Sequence, residues 1–553
     1  MKYNEILETL GEFGWYQKRI YFLTCLPPLT CGSQALMAIF ILAIPAHRCQ
    51  LPSEFLDTHY YPTNNVTQYY VNSTIPVDDG QWAECEQYDV GNLSTFNGMD
   101  VVNGNISRLK CNDWVYDTTR YHSTFVTEHN LICDKAMYRS HANMLFMFGK
   151  MVGSLVFGIL ADIIGRKKAF IIALLLDILC TMGNAFSPNV AVFFILQVGI
   201  GAFNTAVFMS AFVLGLELVG KSKRVFAGIV IDFFWVGGLF ILLILAYLFR
   251  SWDDLVIAAA LPIVPLIITF WFIPESTRWL VSKGRTKEAE KILRKVAEVN
   301  KVELPDELFD KDCLEKETQV NIWEMFSSPL LVIRSLILFF NWAVISMVYY
   351  GLTLNISNLS GNIYINFTIS NIVEFLGYCS VLLFAGRIGR KSILCSGMVV
   401  GGAACVLSIF PALYGNSSHY WITNGLSMIG KLGVSACFGM IFIFSAELFP
   451  TVLRNSGVGL CSVIARFGSM IAPYISDLGK LFKGELELAL PLIVFGICSV
   501  VAGLLALLLP ETMNRNLPDT IEEAKAFGRV PVKLLSGHKI CDSRKKDETV
   551  TDE

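Results

Sequence analysis

Charge is scarce in this sequence: Asp, Glu, Lys and Arg make up 16% of its 553 residues, while hydrophobic residues make up 54%. That shortage excludes a set of water-soluble cores, each of which would need a charged surface to face water. Phosphate-cradling Walker loops, nucleophile elbows and zinc-ligand clusters are all missing, so no enzymatic site, metal or cofactor is expected. His47, His59, His122, His129 and His141 fall in or beside one long polar stretch without metal-ligand spacing. The formal net charge is only -3, and no nucleic-acid partner is expected. A removable leader is missing as well: residues 1 to 19 are mixed polar and aromatic, and no small-residue cleavage site follows the first apolar run.

What is present in their place is a series of apolar runs, each near the roughly 20 residues that a membrane-spanning helix needs. Twelve are expected, at about 20 to 45, 141 to 161, 169 to 187, 190 to 218, 225 to 249, 253 to 273, 330 to 353, 365 to 385, 393 to 412, 420 to 446, 455 to 476 and 488 to 510. The reading is an all-α membrane protein with the lipid bilayer as its solvent. An even number of spans puts both termini on one side.

Basic residues in short loops set that side. Arg166, Lys167 and Lys168; Lys221, Lys223 and Arg224; Arg387, Arg390 and Lys391; and Arg454 mark the cytoplasmic face. The opposite face carries one large loop, about residues 46 to 140, with four N-glycosylation sequons at Asn65, Asn72, Asn92 and Asn105. The same loop holds Cys49, Cys85, Cys111 and Cys133, which in an oxidising compartment form two disulfides in one of three connectivities. The other eleven cysteines read as small packing residues. The expected organisation is a cytoplasmic N-terminus (1–19), a six-helix half (20–280), a cytoplasmic linker (281–328), a second six-helix half (329–511) and a cytoplasmic tail (512–553). The linker string EAEKILRKVAEV has helical spacing and reads as one or two amphipathic helices. Plasma-membrane residence is expected.

Three motifs of the first half return in order in the second. Gly165-Arg166-Lys167 returns as Gly389-Arg390-Lys391, Glu217 with Arg224 as Glu447 with Arg454, and Pro274-Glu275-Ser276 as Pro510-Glu511-Thr512. The offsets are all about 224 to 236 residues, so the chain is a duplicated six-helix unit. Two such halves with a substrate site between them at mid-depth suit a rocking carrier. At the cytoplasmic helix ends Asp162, Arg166, Glu217 and Arg224 form one expected charge cluster and Arg390, Glu447 and Arg454 another, flanked by Glu275, Arg278, Glu511 and Arg515. Carboxylates and guanidinium groups there can pair and release as the halves move. Static topology signals and helix caps are the plainer reading of the same residues.

The strings STFVTEHNLIC (123–133), ILADIIGRKK after the second span, PESTRWLVSKGR after the sixth and SAELFPTVLRNSGVG after the tenth resemble the solute carrier 22 family of organic ion transporters. The resemblance runs from about residue 5 to 525. It looks nearest to organic cation and carnitine transporters and their insect relatives, as in AFVLGLELVGKSKR and MIGKLGVSACFGMIFIFSAELFP. Sugar porters share the GRK and PES motifs but lack the glycosylated loop and the STFVTEHNLIC string. The resemblance implies the major facilitator fold and a small organic ion as the substrate. Three departures stand out: Ile163 and Gly386 beside the basic motifs, and four loop cysteines where many mammalian members have six.

Ionisable residues inside spans are costly unless they face a wet cavity or a partner, so they are site candidates. They are Lys150, Asp177, Asp232, Glu374, Lys431 and Arg466. The resemblance matches Arg466 to a position that is Asp in strongly cation-selective relatives and Arg in carnitine and anion transporters. It also matches Glu374 and Lys431 to a carboxylate and a basic position, and Trp342 and Tyr349 to aromatic ones. Tyr350 is the next residue along. A guanidinium suits a carboxylate and aromatic faces suit an ammonium, so a zwitterionic or cationic amine of the carnitine type is the expected substrate. Lys150 and Asp232 match no family position and could pair with each other, or Lys150 with Asp177; a titrating Asp232 would permit proton coupling. For the aromatics the competing reading is ordinary packing, and for Arg466 an ion pair with Glu374 or Asp232. The expected function is polyspecific secondary transport by alternating access, with sodium or proton as candidate coupling ion. Organic anion exchange is the alternative, and a non-transporting receptor the third reading.

Overall fold

A helix satisfies its own backbone bonds, so a chain immersed in hydrocarbon folds into helices and buries its few polar groups between them. The computed structural model describes residues 3–51, 57–78, 80–89, 107–220, 223–305, 308–309, 328–414, 420–450, 453–481, 486–515, 518 and 520–527. Asn92, Asn105, Lys221, most of the linker beyond 309 and the tail beyond 527 lie outside the described residues.

The first half opens with a short helix α1 (Tyr3–Thr9), followed by α2 (Trp15–Ala35) and its brief continuation α3 (Ala38–Ile41). The loop between the first two spans contributes α4 (Asn65–Thr74) and α5 (Phe125–Glu128), and then come α6 (Met137–Ile164), α7 (Arg166–Ala185), α8 (Val190–Glu217) and α9 (Arg224–Leu248). The sixth apolar run is broken into α10 (Trp252–Ala260), a 3-10 stretch Leu261–Ile268 and α11 (Thr269–Phe272). Pro262 and Pro265 cause the break, since proline lacks an N–H and clashes with the preceding turn. Eleven helices among the described residues are therefore long and apolar enough to cross a membrane, and the sixth run is the exception to the twelve expected.

The end of the first half runs into the linker through α12 (Thr277–Ser282), and the linker provides α13 (Thr286–Asn300). The apolar stripe Ala289, Leu293, Val296 and Ala297 of α13 is buried, with Leu293, Val296 and Ala297 packing on Ile6, Leu10, Tyr16 and Ile20. Asn300 fastens this docking by accepting from the Tyr16 amide (3.1 Å) and donating to the Leu10 carbonyl (3.0 Å). The second half comprises α14 (Pro329–Leu354), α15 (Ile363–Phe384), α16 (Arg390–Leu407), α17 (Ile409–Tyr414), α18 (Tyr420–Leu448), α19 (Arg454–Ser476), α20 (Leu486–Ala506) and α21 (Ile521–Ala526). Arg334 of α14 holds α21 by donating to the Ala524 and Phe527 carbonyls at 3.0 and 2.6 Å.

Within the first half α2 packs on α9 and α6 on α8; within the second, α14 packs on α19 and α15 on α18. These are the same pairings displaced by one repeat. Two seams join the halves, α6 against α19 and α9 against α15, and the repeat makes them equivalent. Gly149 and Gly153 of α6 face the Val198 and Ala202 backbone of α8 so closely that a Cβ would strike a carbonyl oxygen. Small residues at such contacts let helices approach where no hydrophobic force drives them together.

The described residues of the loop after the first span form a cap. Three two-stranded antiparallel ribbons pair β1 (His47–Cys49) with β6 (Trp114–Tyr116), β2 (Val77–Asp78) with β3 (Gln81–Trp82), and β4 (Glu86–Tyr88) with β5 (Arg108–Lys110). Disulfides join Cys49 to Cys111 and Cys85 to Cys133, with Cα separations of 5.6 and 5.7 Å. Arg48, fully buried, places all five of its N–H donors: two on Asp57 (2.7 and 2.6 Å) and three on the Tyr60, His59 and Cys49 carbonyls. The Ser123–Cys133 string forms α5, whose Thr124 and Thr127 make a capping box, and its Phe125 stacks on Phe193 at 3.8 Å. Asn65 and Asn72 are exposed on α4, and seven residues apart they share one helix face.

Candidate functional site

Four of the charges inside spans, Lys150, Glu374, Lys431 and Arg466, lie around Tyr349 and Tyr350 of α14. Glu374 of α15 and Lys431 of α18 form an ion pair at 3.0 Å, both almost fully buried. Two charges removed from water persist only when their remaining bonding capacity is filled. The Tyr349 hydroxyl supplies one bond by donating to Glu374 Oε1 at 2.6 Å. Lys431 donates to the Thr353 hydroxyl and lies over the Tyr349 ring at 3.7 Å. Trp235 of α9 reaches across from the first half, its indole donating to the Tyr349 hydroxyl at 3.2 Å. Read one by one, these were two site charges and an aromatic; in place they form one closed relay.

Lys150 of α6 lies on the far side of Tyr350. Its ammonium donates to the Tyr350 hydroxyl at 3.3 Å and sits 5.1, 5.3 and 5.2 Å from the centres of the Phe146, Trp235 and Tyr350 rings. Neither Asp232 nor Asp177 pairs with it among the described residues; aromatic faces fill the place a carboxylate would take. Arg466 of α19 is near enough for its charge to act on both Tyr350 and Lys150, and no carboxylate pairs with it among the described residues. Glu374, the acid the sequence offered Arg466, is taken by Lys431. Asp232 is half-buried on α9, within electrostatic range of Glu374. Asp177 is buried within the first half, beside the polar group in which Gln34 donates to Thr181 (2.9 Å) and accepts from Asn204 (2.7 Å).

Trp342 stands apart from this cluster. It donates to the Ser445 hydroxyl at 2.8 Å and meets Phe442 edge-on at 4.5 Å, and among the described residues it is linked to Tyr349 through the Phe442 and Phe438 rings. The residues that sequence reasoning missed are Phe146, Trp235, Thr353 and Phe438. Two of them carried a signal: Phe146 precedes Lys150 by four residues and so shares its helix face, as Thr353 follows Tyr349.

At the end bearing the repeated motifs, the two halves repeat one device. Gly165 and Gly389, with φ of 108° and 104°, start α7 and α16 in a backbone conformation open to glycine. Glu275 accepts from the Lys167 and Ser276 amides at 3.0 and 3.1 Å. Glu511 likewise accepts from the Arg390, Lys391, Thr512 and Met513 amides at 3.0 to 3.1 Å. A carboxylate at a helix start meets unpaired N–H groups and the positive end of the dipole. A Cβ on either glycine would collide with that carboxylate. Arg166 pairs with Asp162 and stands 3.9 Å from Glu217; Arg390 stands 3.2 Å from Glu447, which also accepts from Thr512 at 2.6 Å. Arg224 donates to the Val219 carbonyl at 3.3 Å. Each of these contacts joins helices of a single half. Tyr3 of α1 is bonded to Thr277 (2.6 Å), and burial pushes its phenol up to about 12, so it stays neutral.

At the loop-bearing end, contacts cross between halves. Ser140 of α6 donates to Asp477 at 2.6 Å, Arg139 to Ser357 at 2.5 Å, and His141 bonds the Tyr474 hydroxyl at 2.8 Å. Phe40 stacks on Tyr364 at 5.9 Å. This end is latched. His47, Cys85 and Cys133 also gather here, but both sulfurs are committed to disulfides and do not compose a metal site.

A family profile described as sugar (and other) transporter matches residues 88–523. An organic cation transporter protein of Drosophila melanogaster is 38% identical over 96% of each chain. Organic cation transporter 1 of Caenorhabditis elegans is 34% identical, covering 96% of this chain and 89% of its own. Human organic cation/carnitine transporter 2 is 33% identical, covering 94% and 93%. Among solved structures, the xylose transporter XylE of E. coli in a partially occluded inward-open conformation matches 91% of this chain and 100% of its own, with a TM-score of 0.58 and 14% identity, a likeness of fold.

Proposed function

Because the chain belongs to the sugar (and other) transporter family, in the organic cation and carnitine transporter branch of solute carrier 22, we propose that it carries small zwitterionic and cationic amines by alternating access. The carrying observation is the seam between the halves, where Tyr350 is within reach of Arg466, a cation without a carboxylate among the described residues, and the neighbouring Tyr349 hydroxyl bonds Glu374. An amine's ammonium suits the rings and a carboxylate suits the guanidinium fork. The names of the relatives given above speak for cations and carnitine rather than for organic anion exchange.

Alternating access has its parts in place on this reading. The Arg139–Ser357 and Ser140–Asp477 contacts hold the loop-bearing end closed, and the motif-end charges brace each half as a unit. The loop-bearing end is extracellular in the plasma membrane, with Asn65, Asn72, Asn92 and Asn105 glycosylated and both termini cytoplasmic, consistent with the basic motif end. A coupling ion, sodium or proton, completes the cycle.

The test is uptake of carnitine, carcinine, tetraethylammonium, urate and a dicarboxylate in a null cell background, with sodium present and absent. A zwitterion or cation is expected to win; preferred uptake of the dicarboxylate would overturn the reading. Arg466→Ala should impair carnitine and spare tetraethylammonium. Arg224→Ala or Glu447→Ala should slow uptake at normal surface level, and normal turnover there would sink the bracing role.

A further inference from the structure

Lys150 is a buried charge that the transport reading leaves unused. It is 3% exposed, lies on the α6 face turned to the second half, and has no acidic partner among the described residues. Its ammonium instead has three rings around it at 5.1 to 5.3 Å, Phe146 and Trp235 from the first half and Tyr350 from the second, and one hydroxyl bond. Two aromatic rings, Phe146 and Trp235, with the Tyr350 hydroxyl beside them, surround one cation in the kind of arrangement that recognises substituted ammonium ligands, because a ring's face is negative. Here the protein's own side chain fills it.

We infer that Lys150 is a tethered occupant of the substrate's ammonium subsite, a specificity-determining residue that a bound amine must displace. The inference rests on the amine-transport reading above. A lysine carries its charge on a flexible four-carbon stem and can withdraw without moving the helix. While it fills the cage, the competent fraction of the protein falls and every ammonium binds more weakly by that fraction. A plain cation bears the whole loss. A zwitterion recovers part of it, since the released Lys150 and the neighbouring Arg466 are then both at hand for its carboxylate. The tethered cation thus tilts selection toward amines that bring their own negative charge.

The test compares uptake of tetraethylammonium and carnitine by the full-length wild-type chain, Lys150→Met, Phe146→Leu and the double variant, with Lys150→Gln as a second neutral replacement. Either neutral variant should lower the half-saturation concentration for tetraethylammonium about tenfold, which corresponds to a cage occupied by lysine roughly nine-tenths of the time. Carnitine should improve less or weaken. Phe146→Leu should weaken tetraethylammonium uptake when position 150 is neutral and change it little when Lys150 is present, because the ring then serves the lysine. No gain for tetraethylammonium in either neutral variant would overturn the inference. So would an equal Phe146→Leu effect in both backgrounds, which would mean that a repulsive charge and not an occupant had been removed. A wild-type chain that takes up neither compound would instead overturn the amine reading itself.

Discussion

Two buried cations in this molecule are provided for in opposite ways. Arg48 in the loop cap has every donor satisfied, by Asp57 and by backbone carbonyls, with side-chain exposures of 0% and 1% for the pair. Lys150 at the seam has one hydroxyl and three rings and no carboxylate among the described residues. A saturated ion pair is fixed architecture, because any movement breaks several bonds together. An undersupplied cation is held weakly enough to give way. The contrast separates charges that stabilise the cap from charges available to a ligand, although both are equally hidden from water.

The comparison can be broken first at the cap. Asp57→Ala leaves Arg48 buried without its counter-ion, at a cost of about 3–5 kcal/mol. Surface protein should fall severely, while the molecules that mature keep the wild-type half-saturation concentration; an undiminished surface level would refute the assignment. Glu374→Gln is expected next in size. It strips Lys431 of its pair, and adding Lys431→Met should restore abundance without restoring uptake, because no uncompensated buried charge is then left. Recovery of uptake along with abundance would make the pair structural, like that of Arg48.

Smaller effects sharpen the picture. Asp477→Asn weakens the latch by about 1–3 kcal/mol, and a thiol introduced as Ser357→Cys should then react faster with an impermeant reagent applied from the loop side. Unchanged labelling would remove Asp477 from the latch. Glu275→Gln and Glu511→Gln should each cost about 1 kcal/mol of helix capping and slow uptake to a similar degree; a large inequality would deny the two halves equal parts. Trp342→Phe should change least, since its indole bonds Ser445 away from the charged cluster, and a large rise in half-saturation concentration would bring Trp342 back into the site.

The fold was legible because span length and motif order are local properties. Twelve apolar runs and three repeated motifs suffice to specify two six-helix halves, and the relatives and the XylE likeness agree. What the sixth run did not disclose is its geometry, which Pro262 and Pro265 broke into an α–3-10–α succession. At the site, charges inside apolar runs were conspicuous, but their pairing depends on how helices are rotated against one another. That is why Glu374 and Lys431 read as independent and Arg466 as a candidate partner for Glu374. Trp235 was passed over in IDFFWVGG because an aromatic among phenylalanines carries no periodic signal, whereas Phe146 was legible from its i, i+4 spacing to Lys150. The loop disulfides illustrate the same limit, since only the folded ribbons distinguish Cys49–Cys111 and Cys85–Cys133 from the other two connectivities.

The latch at Arg139 and Ser140 sits within the first turn of α6, a helix of 28 residues. Such a helix is roughly 42 Å long, so each degree of rotation about the latched end sweeps the opposite tip through roughly 0.7 Å. Small angular play at one membrane face therefore becomes ångström-scale clearance at the other. Asp162 lies near that far tip, with Arg166 opening the next helix beside it, so on the proposed cycle the latch would serve as pivot as well as seal.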